Sequence, residues 1–154
     1  MINFETTGIT FNLRAAGLIQ HNQKVLLHKF TGAHFWTLPG GRINAGESSA
    51  EAIAREIHEE LAETVTVARP TLVTEHFYEY LGRPHHEICF YHPTYLTEES
   101  AALLQHGDFP GAEKNENLIF CWFPIEQLRN LDLRPLEILD HLFETENMQH
   151  LIIR

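Results

Sequence analysis

Apolar positions along the chain repeat at two spacings, and the switches between them mark the elements. Ile9 to Ile19 is a mixed apolar stretch of strand length. His21-Asn22-Gln23 is a polar turn, and Lys24 to His28 reads as a second strand, so the pair predicts an antiparallel hairpin. Phe30 to Trp36 reads as a loop, and Thr37-Leu38 as a short extended piece, because residues before a proline avoid the helical region. Gly40-Gly41 is expected to break regular structure and to let the backbone approach a ligand closely. The spacing then changes to threes and fours. Ala50, Ile53, Ala54, Ile57 and Leu61 predict the buried stripe of an amphipathic helix over roughly 49–62, capped by Ser48 or Ser49.

Beyond the helix, Thr64 to Ala68 is β-branched and extended, with Pro70 interrupting it. Thr71 to Tyr80 and His85 to Leu96 predict two strands joined by a turn at 81–84, and Pro93 points to an edge or a bulge. Glu98 to Gln105 predicts a short helix, 106–117 a polar loop and Leu118 to Phe123 a strand. Pro124 and Pro135 each open a further helix, over Ile125 to Arg129 and up to about Glu144. His150 to Ile153 is a final strand or a tail. With no repeat, low-complexity tract or linker, residues 1–154 are expected to form one domain of the α/β class.

Composition changes this picture in three ways. A hydrophobic fraction of 44% argues for a folded chain, and a net charge of -10 disfavours a nucleic-acid polymer as partner. Cys89 and Cys121 stand alone without C-x-x-C spacing, which predicts buried reduced thiols rather than a zinc site. The N-terminus has no basic segment followed by an apolar run, and the longest apolar run is too short to cross a bilayer. No membrane partner and a cytoplasmic location are expected.

The charge is also unevenly placed. Residues 47–63 hold Glu47, Glu51, Glu56, Glu59, Glu60 and Glu63 against the single base Arg55. Like charges on one helix destabilise it, so a bound cation is the natural reason for the cluster. At about 100° per residue, Glu56, Glu59, Glu60 and Glu63 fall within an arc of roughly 100°, centred away from the apolar stripe. Such carboxylates suit Mg²⁺, which takes oxygen ligands and bridges to substrate phosphates. A metal there would lower the pKa of a bound water. Arg55 can hold a carboxylate by two parallel hydrogen bonds, and the Gly40-Gly41 backbone could add a carbonyl. Taken alone, E-x-x-E-E is more often a solvated acidic helix than a metal site.

The spacing is more specific. Gly41, five residues, Glu47, seven residues, then Arg55-Glu56-Ile57-His58-Glu59-Glu60 resembles the Nudix box, G-x5-E-x7-R-E-U-x-E-E-x-G-U with U aliphatic. The lead-in Trp36 to Gly40 and the segment Cys121 to Leu128 are also similar to that family, so the resemblance spans roughly residues 10–143. Ala62 and Glu63 depart from the box, where glycine and an aliphatic residue are expected. Alanine in a left-handed helix end costs on the order of 1 kcal/mol.

The resemblance implies an α/β/α sandwich with a mixed β-sheet between helices. It implies a Mg²⁺-dependent hydrolase, with Mn²⁺ as a substitute, acting on a small nucleotide-like substrate, a nucleoside diphosphate linked to another moiety. Glu59, Glu60 and the Gly40 carbonyl would hold metal, with Glu56 a ligand or the general base. Glu47 and Arg55 would orient the ligands. The family's base varies and can lie on a later loop, where Glu113 and Glu116 are candidates. Phe35 and Phe77 are candidates to stack on a base, Arg14 to contact phosphate, and Gly41 to line the substrate. Adjacent His85 and His86 point to opposite faces of a strand and cannot easily share a metal. A homodimer is compatible with the family. The alternative is a non-catalytic nucleotide-binding or regulatory module on the same fold.

Overall fold

A computed structural model describes residues 1–114 and 117–154. Alternating residues build one mixed sheet. Its strands are β1 (Asn3–Thr6), β2 (Ile9–His21), β3 (Lys24–Phe30), β4 (Gly40–Arg42), β5 (Val65–Val67), β6 (Leu72–Tyr80), β7 (Arg83–Leu96), β8 (Phe109–Pro110), β9 (Leu118–Pro124) and β10 (Gln149–Ile153). The main path runs β10-β6-β7-β2-β3-β9-β8, with β1 and β4 on β2 and β5 on β7. β2 is parallel to β7 and β10 is parallel to β6; the other pairs are antiparallel.

The predicted β2–β3 hairpin forms, but its strands pair only next to the turn, at Gln20–Val25 and His21–Lys24. Beyond that β3 leaves to pair with β9, and β4 takes its place against Arg14, Ala15 and Ala16 of β2. The segment leading to Gly40 fills the fork, tied to β3 where His28 and Thr37 exchange backbone hydrogen bonds of 3.0 and 2.9 Å. The glycine pair therefore does not end regular structure, as expected from sequence; it forms a strand. Gly40 lies so close to β2 that a Cβ would meet the Ala15 carbonyl oxygen at 2.1 Å, at a φ of +149°.

One α-helix is found among the described residues, α1 (Ser49–Leu61). It packs Ala52, Ile53 and Ile57 on one sheet face against Ala15, Ile19, Leu26 and Phe120. Full burial of each isoleucine contributes about 1.5–3 kcal/mol. The opposite face is covered by Leu128, Leu133, Ile138, Leu139 and Leu142. The two segments expected to be helices there form tight 3-10 turns instead, at Ile125–Asn130 and Leu136–Asp140, as does Ala101–Leu104. Runs of four to six residues are too short to repay α-helix nucleation, so packing of their leucines holds them in tight turns. The sheet thus lies between one α-helix and a layer of 3-10 turns, a mixed α/β fold.

Two further departures have simple causes. β1 gives no strand signal in the sequence, because only Met1, Ile2 and Phe4 are apolar before Ile9; it survives as the outer half of a hairpin on β2. Pro93 is not on an edge. β7 is interior, and Pro93 falls between the last β6 pairing, at Tyr91, and the first β5 pairing, at Thr94. Its carbonyl still accepts from the Ala68 N–H at 2.9 Å, while its missing N–H falls where no ladder partner is required. Among the described residues no helix is long and apolar enough to cross a membrane.

Candidate active site

The N-terminal end of α1 is held by its own sequence. Ser48 accepts from the Glu51 N–H at 3.3 Å and Glu51 accepts from the Ser48 N–H at 2.8 Å, a reciprocal capping box. Ser49 is left free to face β7. There the buried His92 donates from Nδ1 to the Ala68 carbonyl at 2.7 Å and lies 2.9 Å from the Ser49 hydroxyl through Nε2. A carbonyl can only accept, so the tautomer carries its proton on Nδ1, and burial lowers the pKa of His92.

One turn on, Arg55 gathers the acids. Its Nε and Nη2 donate to the two oxygens of Glu47 at 2.7 and 3.0 Å, and Nη2 also donates to the Arg42 carbonyl at 3.0 Å. Nη1 donates to Glu56 at 2.8 Å and to Glu59 at 3.3 Å. The Arg55 hydrogen bonds, with the Asn44 N–H adding another, hold the Glu47 carboxyl below its ordinary range. Burial pushes Glu56 upward, against the opposing pull of Arg55. The planar fork of arginine explains how one base can serve three acids.

Glu56 lies against β4. A Cβ on Gly41 would meet its carboxyl carbon at 2.3 Å, so only glycine leaves room for this carboxylate beside the strand. Glu59 is 48% exposed. Glu60 differs from expectation: it is not on the solvated face but 4% exposed, with Oε2 3.3 Å from Nδ1 of His28, itself 6% exposed. The reason is the helix period. Glu60 is seven residues after Ile53, and seven residues return to within about 20° of the start. Its backbone carbonyl accepts from the Ala112 N–H, which brings the start of the 111–114 segment, and with it Glu113, to the end of the helix. Glu116 lies outside the described residues.

The two departures from the box also find partners. Ala62 takes the left-handed conformation, φ 57° and ψ 29°, and closes the helix by donating to the His58 carbonyl at 2.9 Å. Glu63 accepts from the Ala102 N–H at 3.2 Å, capping the turn at Ala101–Leu104.

The remaining candidates separate. Arg14 is on the sheet face opposite α1, 3.9 Å from Glu87, which accepts from the Tyr78 hydroxyl at 3.2 Å. Tyr78 stacks on His85 at 5.0 Å, His85 meets Tyr80 at 6.2 Å, and Tyr80 meets Phe35 at 6.5 Å. Arg14 and Phe35 are therefore the two ends of one aromatic chain, with Arg134 over the Phe35 ring at 4.4 Å. Phe77 is not part of it. It stacks on His86 at 4.3 Å on the α1 face, in the register row of Phe11, four residues outward from Ala15. Four strand residues are roughly 13 Å. Asn12 is not singled out by the sequence; the alternation of β7 with β6 and β2 is the signal that aligns it with Tyr78, His85 and Glu87.

The donors around Gly41 are all oxygen, the set that hard divalent cations prefer. As the side chains stand, no three His, Cys, Asp or Glu groups among the described residues converge as a ready metal cage.

A model of the NUDIX domain matches residues 11–142. The chain belongs to the NUDIX domain family. The fold agrees: a Nudix hydrolase of the MutT type from Burkholderia pseudomallei superposes with a TM-score of 0.63 at 21% identity, covering 86% of this chain and 98% of that one. The MutT protein of Bacillus halodurans gives 0.62 at 18% identity, over 90% and 86% of the two chains. A Bacillus subtilis protein, provisionally assigned as an 8-oxo-dGTP diphosphatase, is 46% identical over 43 residues, which are 28% of this chain and 29% of that protein. In this Nudix chain the box residues Gly41, Glu47, Arg55, Glu56, Glu59 and Glu60 are all on α1 or on the strand and loop that lead into it.

Proposed function

We propose that this Nudix chain hydrolyses a phosphoanhydride bond in a nucleoside diphosphate linked to another moiety. The observation that carries the reading is the Arg55 fork, which draws Glu47, Glu56 and Glu59 together beside the side-chain-free backbone of Gly41. The residues fit a hard cation: the side chains gathered beside the glycine pair are carboxylates, an all-oxygen donor set. Glu56, Glu59, Glu60 and the Gly40 carbonyl would hold Mg²⁺ or Mn²⁺. Bound there, the metal would neutralise a pyrophosphate and lower the pKa of a water.

The chain's own groups do the rest. Arg55 fixes the Glu47 and Glu56 carboxylates, and Glu47 in turn locks the loop at Asn44. Phe35 and Tyr80 offer aromatic faces to a base at one end of the aromatic chain, and Arg14 a cation at the other. Gly41 leaves room for the Glu56 carboxylate beside the backbone. Glu113 is a candidate base on the segment that reaches the end of α1.

The test is a panel of deoxynucleoside triphosphates, 8-oxo-dGTP, nucleotide sugars and ADP-ribose with Mg²⁺, against a Glu59→Gln, Glu60→Gln double variant. Release of phosphate, pyrophosphate or nucleoside monophosphate at least about 100-fold above the double variant is expected. No product above that control on any member sinks the enzyme reading. Nucleotide binding without turnover would instead favour the non-catalytic module on the same fold.

A further inference from the structure

We propose that His28 is a positioning residue for the Glu60 carboxylate, holding one of its oxygens so that the other is presented to the metal. This rests on the metal site proposed above. The two side chains come from different elements, β3 and α1, and meet in the corner closed by Phe120. His28 Nδ1 and Glu60 Oε2 are 3.3 Å apart. Both atoms are fully enclosed, and among the described residues neither has a hydrogen-bond partner. Buried polar atoms are almost always hydrogen-bonded, so two orphans facing each other need an explanation. A small rotation of Glu60 closes the bond and satisfies both.

His28 is well placed for this work. Its backbone exchanges two hydrogen bonds with Thr37, three residues before Gly40. Its ring leans on Phe120 at 5.4 Å. One rigid residue thus references Glu60 to the same segment that carries the Gly40 carbonyl. Nothing in the box spacing identifies it, because it lies on a strand before the box. An imidazole nitrogen that donates to a ligating carboxylate fixes the carboxylate's orientation, and loss of such a partner typically lowers metal affinity about 10–100-fold.

The experiment measures Mn²⁺ binding by electron paramagnetic resonance of the free ion. It compares the full chain with His28→Leu, His28→Asn and Glu59→Gln, Glu60→Gln. Asparagine puts an N–H donor close to the place of Nδ1; leucine keeps bulk without a donor. His28→Leu is expected to weaken binding about tenfold or more, and His28→Asn less than about threefold. Circular dichroism checks that each variant is folded, and the Asn variant serves if the Leu variant is not. The metal concentration for half-maximal hydrolysis should rise in parallel, with kcat at saturating metal changing less. Wild-type Mn²⁺ affinity in His28→Leu overturns the proposal, as does equal weakening by folded Asn and Leu variants. No Mn²⁺ binding by the wild type, or binding unaffected in the double glutamate variant, brings down the metal site itself and His28's part with it.

Discussion

The two ends of the box helix are built on opposite terms. At the N-terminal end the polar groups are paired. Ser48 and Glu51 cap each other, His92 joins Ser49 to the Ala68 carbonyl, and Glu47 takes both prongs of Arg55. At the C-terminal end a histidine and a glutamate are buried without partners among the described residues, and an alanine sits in a left-handed conformation. Unpaired buried groups and backbone strain cost stability, and they persist where function requires them. The difference teaches that this helix is anchored by paired groups at one end, while the unpaired groups lie at the other, where the proposed metal site would use them.

The largest break in that contrast comes from Arg55. Arg55→Ala leaves Glu47, Glu56 and Glu59 as unpaired neighbouring acids. Hydrolysis should fall about 100-fold and stability to urea by about 2 kcal/mol. Arg55→Lys restores the charge but not the fork, so stability should recover more than activity. If Arg55→Ala hydrolyses as the wild type does, the anchored end is not what organises the site.

His92 tests the same anchor through pH. Burial lowers its folded pKa below the ordinary 6.5. Below that value the unfolded chain binds the proton more readily than the folded one. The stabilising contribution is therefore present above pH 6.5 and is lost as pH falls toward the depressed folded pKa. His92→Gln removes this slope. At pH 8 the variant should be less stable by about 1 kcal/mol, from the weakened Ser49–Ala68 link, and the gap should narrow at pH 5.5. Urea denaturation at the two pH values checks it; a gap that widens in acid contradicts the neutral, buried assignment.

The anchored end was more legible in the sequence than the unpaired one. Capping, the Arg55 fork and the apolar stripe are local, so spacing alone exposes Ser48, Ile53 and Ile57. What escaped was decided between elements. The acidic arc was drawn as if Glu60 faced water, although its seven-residue distance from Ile53 already put it beside the core. His28 is a lone histidine in an apolar strand, and no spacing on β3 links it to a helix more than twenty residues later. Likewise Arg14 and Phe35 are joined only through the register of β6 on β7, while Phe77, one residue from Tyr78 on β6, is turned to the other face. The short helices fail for a thermodynamic reason: Pro124 and Pro135 do open turns, but the runs are too short for an α-helix to propagate.

Glu63 gives the smallest and sharpest test, because two explanations of it predict different readouts. It is an acid at the unpaired end of the helix, where the box pattern has an aliphatic residue. As part of the acidic face it would add charge to a metal site. The structure gives it another partner, the Ala102 N–H at 3.2 Å, but Ser100 Oγ also accepts from that donor at 3.2 Å. A shared donor keeps one acceptor when the other is removed. Glu63→Ala should therefore cost only about 0.5 kcal/mol, and Ser100→Ala about the same, while the double variant exposes an orphaned N–H and loses more than the sum. Mn²⁺ affinity should stay within about twofold of wild type, since removing one charge at that distance across water is a weak perturbation. A drop in affinity comparable to that of the Glu60 variants would instead move Glu63 into the site, and the unpaired end of the helix would hold one more ligand-facing acid.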